Sequence, residues 1–293
     1  MKRYALIAVI LAATLGGCQQ PTDVRLQPDT PTSGLEVIPV VTPDPLIRTV
    51  SVDTGAVLPS DQLAYYGQLV IHSIILDAGP GRLDSFAYSK VLVADSVVRF
   101  LVRNVGFNGV DLGPVLLNGT PLLKIAHRIV VPVLSIRDTV LTRGVEYVGD
   151  FTQTYQPNQA YTWTAPLSTV GVLNVGINAP DKLVVLSPVG GSVIPRDRDL
   201  LLRWKGRNGQ LNIIICTFDP LSKGSRPVLE LRPRSDLGQA LVPASILRQL
   251  PRDPYFVFTF ILSNRKELTI IQGQTGKVLV QAASVYSSYI ELR

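Results

Sequence analysis

Cysteine and histidine are scarce, at two of each in 293 residues. His72 and His127 stand far apart in sequence, each inside an apolar alternation. A histidine-rich metal site needs more ligands than that, so both are expected to be structural. A Ser-His-Asp triad would need one of them beside an activated serine. No G-x-S-x-G elbow is present, and Gly190-Gly191-Ser192 lacks the small residue that should follow. The phosphate-cradling patterns G-x-G-x-x-G and G-x-x-x-x-G-K-[ST] are absent, as is H-E-x-x-H. Charged residues make up only 17% of the chain, and helical periodicity is nearly missing. No catalytic residue, cofactor or metal ligand is therefore expected. Composition leaves one opening. A glycosidase needs only two carboxylates, and the chain has 22 acidic residues. Most of them are Asp beside turn residues, as in Asn108-Gly109-Val110-Asp111, where backbone hydrogen bonding is their expected task.

No apolar run of membrane-spanning length follows the first 17 residues. Those residues have three parts. Lys2 and Arg3 are a positive start, Tyr4 to Thr14 are an apolar stretch, and Gly16 and Gly17 are small residues before Cys18. The apolar stretch fits the roughly 7–15 residues of a secretory signal and falls short of the about 20 of a transmembrane helix. Leu15-Gly16-Gly17-Cys18 resembles the lipobox of bacterial lipoproteins. That resemblance implies cleavage before Cys18 and a diacylglycerol on its sulfur, with further acylation of its amine. Two or more chains anchor stably where one does not. The other reading is an ordinary signal peptide with a chance cysteine. Residue 19 is Gln rather than Asp, so the inner-membrane retention signal of such lipoproteins is missing and the outer membrane is the expected destination. With Cys18 lipidated, Cys216 has no partner. It lies in the apolar run Ile213-Ile214-Ile215-Cys216 with no local cation or histidine to activate it.

Residues 18–45 read as a lipidated N-terminus and Pro-rich linker, punctuated by Pro21, Pro28, Pro31, Pro39, Pro43 and Pro45. Such segments extend at about 3.1 Å per residue. In the alternative reading, Leu35 to Val41 adds an edge strand to the first domain. Charge is uneven. Residues 181–293 hold sixteen basic against nine acidic residues, and 45–180 balance at nine of each. A basic face suits an anionic partner, or is simply solvated. Aromatic interleaving of the kind that stacks bases is not evident, so nucleic acid is not an expected partner.

The body reads as short alternating runs separated by turn signals of Gly, Pro, Asn and Asp, such as Gly79-Pro80-Gly81, Phe107-Asn108-Gly109 and Leu117-Asn118-Gly119-Thr120. In Val98 to Arg103, Val98, Phe100 and Val102 fall on one face, Arg99 and Arg103 on the other. Similar runs are expected as strands at 68–76, 89–94, 125–134, 160–164 and 172–177. A boundary is placed near Ala179-Pro180-Asp181. Beyond it, runs at 183–186, 200–204, 211–218, 228–232, 255–262, 268–271 and 277–292 make about seven strands, with one helical turn from Val242. Phe256, Phe258 and Phe260 are expected in the core. The opening Ser187-Pro188 with its glycines, and a second strand ending in Trp204, resemble fibronectin type III and related immunoglobulin-like modules. The expected fold is all-β: signal peptide (1–17), linker (18–45), and two β-sandwich domains of immunoglobulin-like kind, 46–180 and 181–293. Arg196-Asp197-Arg198-Asp199 has too few oxygen ligands for a calcium loop. Asn118-Gly119-Thr120 matches a glycosylation sequon, although bacterial lipoproteins are not usually handled by that machinery.

The expectation for function is a non-catalytic, lipid-anchored cell-envelope protein. It would act in adhesion, scaffolding or assembly through β-domain surfaces, with the membrane held by its N-terminal lipid and a protein or glycan as partner. Two alternatives stand beside it: a module binding carbohydrate or an anionic polymer, and a hydrolase with a dispersed site.

Overall fold

The computed structural model describes residues 34–40, 65–100, 103–131, 139–149, 155–165, 172–219, 224–234, 238–269 and 277–293. The protein is an all-β sandwich, with one short helix, α1 (Ala244–Gln249), among the described residues. In chain order the strands of the first half are β1 (Leu35–Pro39), β2 (Tyr65–Asp77), β3 (Leu83–Phe100), β4 (Arg103–Gly109), β5 (Leu116–Leu117), β6 (Thr120–Pro121), β7 (Leu123–Val131), β8 (Thr139–Val148), β9 (Ala160–Ala165) and β10 (Leu173–Asn178). The second half adds β11 (Val184–Ser187), β12 (Val193–Ile194), β13 (Leu200–Lys205), β14 (Gln210–Asp219), β15 (Gly224–Pro233), β16 (Gln239–Val242), β17 (Tyr255–Leu268) and β18 (Lys277–Leu292).

Most strands pair in one sheet, in the order β1-β15-β14-β17-β18-β2-β3-β4-β8-β7, with β12 pairing alongside β18. Two small sheets, β10-β9-β5-β6 and β11-β13-β16, complete the set. Period-two alternation sends every second side chain of a strand to the same face, and the core membership follows it. On β17, Phe256, Phe258, Phe260 and Leu262 pack with Leu202, Trp204 and Val242 of the β11-β13-β16 sheet. On β2 and β18, Leu69, Ile71, Val278, Val280 and Ala282 pack with Tyr161, Trp163 and Val175 of the other small sheet. Both small sheets thus cover the same face of the large one, each over its own core. The in-between residues Ile74, Ile214, Ile261, Ala283 and Val285 form a third cluster on the opposite face.

The segments expected as two domains are joined more tightly than by a linker. β18 pairs antiparallel with β17 on one side and parallel with β2 on the other, from Lys277 opposite Tyr65 to Ser288 opposite Asp77. The reason lies in β18 itself. Its residues 278–288 are all buried, and a strand buried on both faces belongs in the middle of a sheet. Residues 46–180 and 181–293 each supply one small sheet, but the large sheet runs through both. Of the strand foreseen at 35–41, Leu35–Pro39 forms β1, and it adds to β15, in the second segment rather than the first; Val41 lies outside the described residues.

Other boundaries moved as well. The runs at 89–94 and 98–103, expected as two strands, are spanned largely by the single β3. The Phe107-Asn108-Gly109 stretch, expected as a turn, lies in β4. Gly109 meets Gly144 of β8 there, and a Cβ on Gly144 (φ +74) would collide with the Gly109 carbonyl. A side chain at either position would force the two strands apart. The Leu117-Asn118-Gly119-Thr120 turn is as expected. Asn118 (φ 50) and Gly119 (φ 81) join β5 to β6 in left-handed conformations, which the two-residue primed hairpin turns require.

Candidate functional site

The face of the large sheet opposite the small sheets carries most of the unusual chemistry. Pairing register sets its rows of side chains. Gln210, Ser263, Ala283, His72 and Tyr88 lie side by side across β14, β17, β18, β2 and β3. The next row holds Asn212, Ile261, Val285, Ile74 and Phe86. His72, Asn212 and Ser263 are buried, yet both amide atoms of Asn212 and the hydroxyl of Ser263 have no hydrogen-bond partner, and the His72 ring meets only a loose contact from Gln281 rather than a hydrogen bond of normal geometry. Glu230, opposite Ile214 on β15, is fully buried too. Its Oε1 accepts from Arg232 Nε at 2.7 Å, while Oε2 has no partner. Burial pushes the His72 imidazole down to about 4, against a smaller opposing pull from the neighbouring Gln281. The ring is therefore neutral at pH 7. Buried polar atoms are almost always paired, so several orphans on one face are a strong anomaly.

A charged node lies farther along the same face. Lys90 on β3 places Nζ 3.0 Å from Glu146 Oε2 on β8, and His127 Nδ1 on β7 lies 2.7 Å from the same oxygen. Burial raises the Glu146 carboxyl. The hydrogen bond from His127 and the Lys90 ammonium outweigh that and hold it below the usual range. His127 is thus held by a carboxylate. A β-bulge between Ala126 and Arg128 turns it toward Glu146.

Other polar groups act as fastenings. Asp77 Oδ2 accepts from Gly190 N at 2.7 Å and from the Tyr286 hydroxyl at 2.5 Å, and Oδ1 accepts from Gly79 N at 3.1 Å. It ties the end of β2 to the 188–191 turn and to β18. Asp111 accepts from the Lys124 ammonium, Gly113 N and Tyr147 Oη, which in that order hold its carboxyl down at about 2. The Arg196–Asp199 run serves the helix rather than a cation. Asp199 Oδ1 accepts from Ala244 N at 2.8 Å, at the N-terminus of α1. Arg196 donates to the carbonyls of Leu250, Pro251 and Asp253 just past the helix C-terminus, at 2.8–3.0 Å. This is the charge placement that satisfies carbonyls at a helix end. Among the described residues no group of three or more His, Cys, Asp or Glu side chains is placed to hold a metal.

The outer face of β11-β13-β16 is different in character. Val184 (42% exposed), Leu186 (43%), Leu201 (42%) and Leu241 (50%) face solvent. Leu201 stands directly opposite Leu241. Exposed Arg203 and Lys205 alternate with Leu201 along β13, and Lys205 pairs with Val184. One side of this small sheet is thus core, and the other is an apolar patch with a basic edge.

The lipobox residues Leu15, Gly16, Gly17 and Cys18 lie outside the described residues. Cys216 is a free thiol that burial pushes up to about 12, so it is unreactive at neutral pH. Phe256, Phe258, Phe260 and Trp204 are core residues as expected. Asn118 is occupied as a structural group, since its Oδ1 accepts from Thr162 N at 2.8 Å. Sequence reasoning passed over Trp163, the fully buried anchor of the second core, as well as Asn212, Ser263, Glu230 and Lys90. For two of these a signal existed: Asn212 stands between Leu211 and Ile213, and Glu230 between Leu229 and Leu231, each a polar residue inside an apolar strand. The chain matches no protein-family model and no curated protein sequence.

Proposed function

We propose that this chain is an exported, non-catalytic protein of the cell envelope, anchored to the outer membrane through lipid on Cys18. Its 181–293 segment is an immunoglobulin-like module that docks an acidic partner protein. The observation that carries the docking surface is the outer face of β11-β13-β16, where Val184, Leu186, Leu201 and Leu241 are exposed together beside Arg203 and Lys205. A contiguous apolar patch with a charged edge is how protein-binding surfaces differ from ordinary solvated ones. The basic edge, in a segment with a net positive charge, selects an acidic rim on the partner. The immunoglobulin-like reading draws support from three strands packed on β15-β14-β17-β18, with β12 parallel to β18.

The anchor is tested by Cys18→Ser. The variant should lose labelling by a fatty-acid probe and leave the membrane fraction or stall unprocessed. Unchanged labelling and fractionation would overturn the anchor. The docking surface is tested by a photo-crosslinker placed at Leu201 in living cells. One discrete acidic protein should be captured. Leu241→Asp should weaken its binding to the purified partner about tenfold or more, as for a central interface residue, with the fold unchanged. An adduct with lipopolysaccharide or an acidic glycan, or no adduct, would reject a protein partner there.

A further inference from the structure

We propose that residues 41–64 cross the face of the large sheet opposite the small sheets and cover its apolar centre, Ile74, Ile214, Ile261 and Val285. The occupant of that face is a segment of this chain, so the face is not open to a partner. The Pro-rich stretch 41–45 then belongs to the folded body rather than to the linker. This inference rests on strand topology and needs neither the lipid nor the docking surface.

The topology requires a crossing. Antiparallel steps lead from β1 through β15, β14 and β17 to β18, and a parallel step leads on to β2. β1 and β2 are therefore parallel in one sheet, five strand spacings apart. Register carries Pro39 across Leu229, Ile215, Phe258 and Ser288 to Asp77, so β1 ends level with the end of β2. The chain must return the full length of the 13-residue β2 to reach Tyr65. That is about 40 Å down and about 24 Å across, and residues 41–64 reach up to about 80 Å. The gaps at 132–138, 166–171, 220–223 and 270–276 join antiparallel neighbours and need no such crossing.

Chirality selects the face. Leu35 and Val37 point into the core under β11-β13-β16, so Glu36, Ile38 and Val40 face the other way. Val40 N donates to the Val228 carbonyl, so these same residues bond toward β15. On a strand of L-residues running up, a side chain facing the observer has its N–H and C=O on the right. Seen from the face opposite the small sheets, β15 and hence β2 lie to the right of β1. A right-handed crossover, the general hand for parallel strands, then passes over that same face. Burial agrees. Ile74, Ile214, Ile261 and Val285 are at most 3% exposed, yet every described member of their cluster belongs to β14, β17, β18, β2 or β3. Strand neighbours flank a side chain without capping it, so another segment lies on top. Residues 41–64 suit the task. Leu46, Ile47, Val57 and Leu58 are apolar, and Val50-Ser51-Val52 alternates.

The test places a benzophenone photo-crosslinker in the full chain at Leu46, Val50 or Val52, one position at a time. Adducts are mapped by peptide mass spectrometry. At least one position should link to Ile214, Ile261, Val285 or Ile74, or to their neighbours on that face. Links to β9, β10, β13 or β16 instead would put the crossing over the small sheets and overturn the proposal. Isotope-labelled and unlabelled copies are mixed before irradiation. Adducts joining the two would mean that the segment lies on a second copy, and these too overturn it, as does the absence of any adduct. An independent measurement uses no crosslinker. Val50→Asp with Val52→Asp should lower Tm by roughly 5 °C or more, as charges placed against a buried apolar face. An unchanged Tm would mean that these residues cover nothing.

Discussion

Glu146→Ala should destabilise the protein by about 3–5 kcal/mol, the cost of leaving a buried charge without its partner. The Lys90 side chain is only 4% exposed, and Glu146 Oε2 faces its Nζ at 3.0 Å. Removing the carboxylate leaves the buried ammonium without its counter-charge and takes the hydrogen-bond partner from His127 as well. Urea unfolding should show a lower midpoint at unchanged m-value. The double variant Lys90→Met with Glu146→Leu should recover most of the loss, because apolar replacement of a buried ion pair is often neutral. If the double variant is as unstable as the single, the cost does not come from the stranded charge. The pH dependence has a definite sign. The Glu146 carboxyl is held below its usual range in the fold. Its contribution is complete above the ordinary glutamate value of about 4.3 and is lost as pH falls through the lower folded value.

Acid lability at higher pH should come from His72. Burial pushes its imidazole from 6.5 down to about 4. The unfolded chain therefore takes up a proton that the folded chain refuses, and stability rises with pH between those values. Above pH 6.5 the contribution is complete. It falls progressively to pH 4, by about 3 kcal/mol for a shift of this size. Its neighbours across the sheet offer no anion to stabilise a protonated ring. These are Tyr88 on β3 and Ala283 on β18, with Gln281 and the cation Lys90 nearby. Unfolding midpoints measured from pH 7.5 to 4.5 should drop steeply for the native chain. For His72→Phe they should stay nearly flat over that interval. The depressed carboxylates Asp77, Asp111 and Glu146 titrate below this window and do not mask it. Equal slopes in both proteins would place the acid sensitivity elsewhere.

Both effects arise from residues whose neighbours are remote in sequence, and this marks what could be read from the chain. The strand runs around Leu69, Trp163, Trp204 and Phe258 were legible, because alternation and turn residues are local properties. So was the Asn118-Gly119 hairpin, where left-handed backbone suits Asn and Gly. The inert character of Cys216 followed from its apolar run. The apolar patch was not legible. Arg203 and Lys205 already mark the outward face of Leu200 to Lys205, but nothing in that segment says that Leu201 would meet Leu241 of β16 and form a patch there. Nor was the partner of Lys90. Its ion pair with Glu146 spans strands that meet only once β3 and β8 align.

The amino-acid sequence alone determined the all-β class, the positions of most strands and the aromatic core, since each depends on the period of side chains along a few residues. Tertiary structure decided how the strands were shared. β18 is buried on both faces and needs neighbours on both edges, so it took β17 from its own segment and β2 from the other. One sheet therefore spans what local pattern divides in two. That same pairing lined up Ser263, Ala283, His72 and Asn212, four residues from different strands, on one buried face. Long-range register alone sets such a meeting, because a shift of one residue would turn each of those side chains to the opposite side.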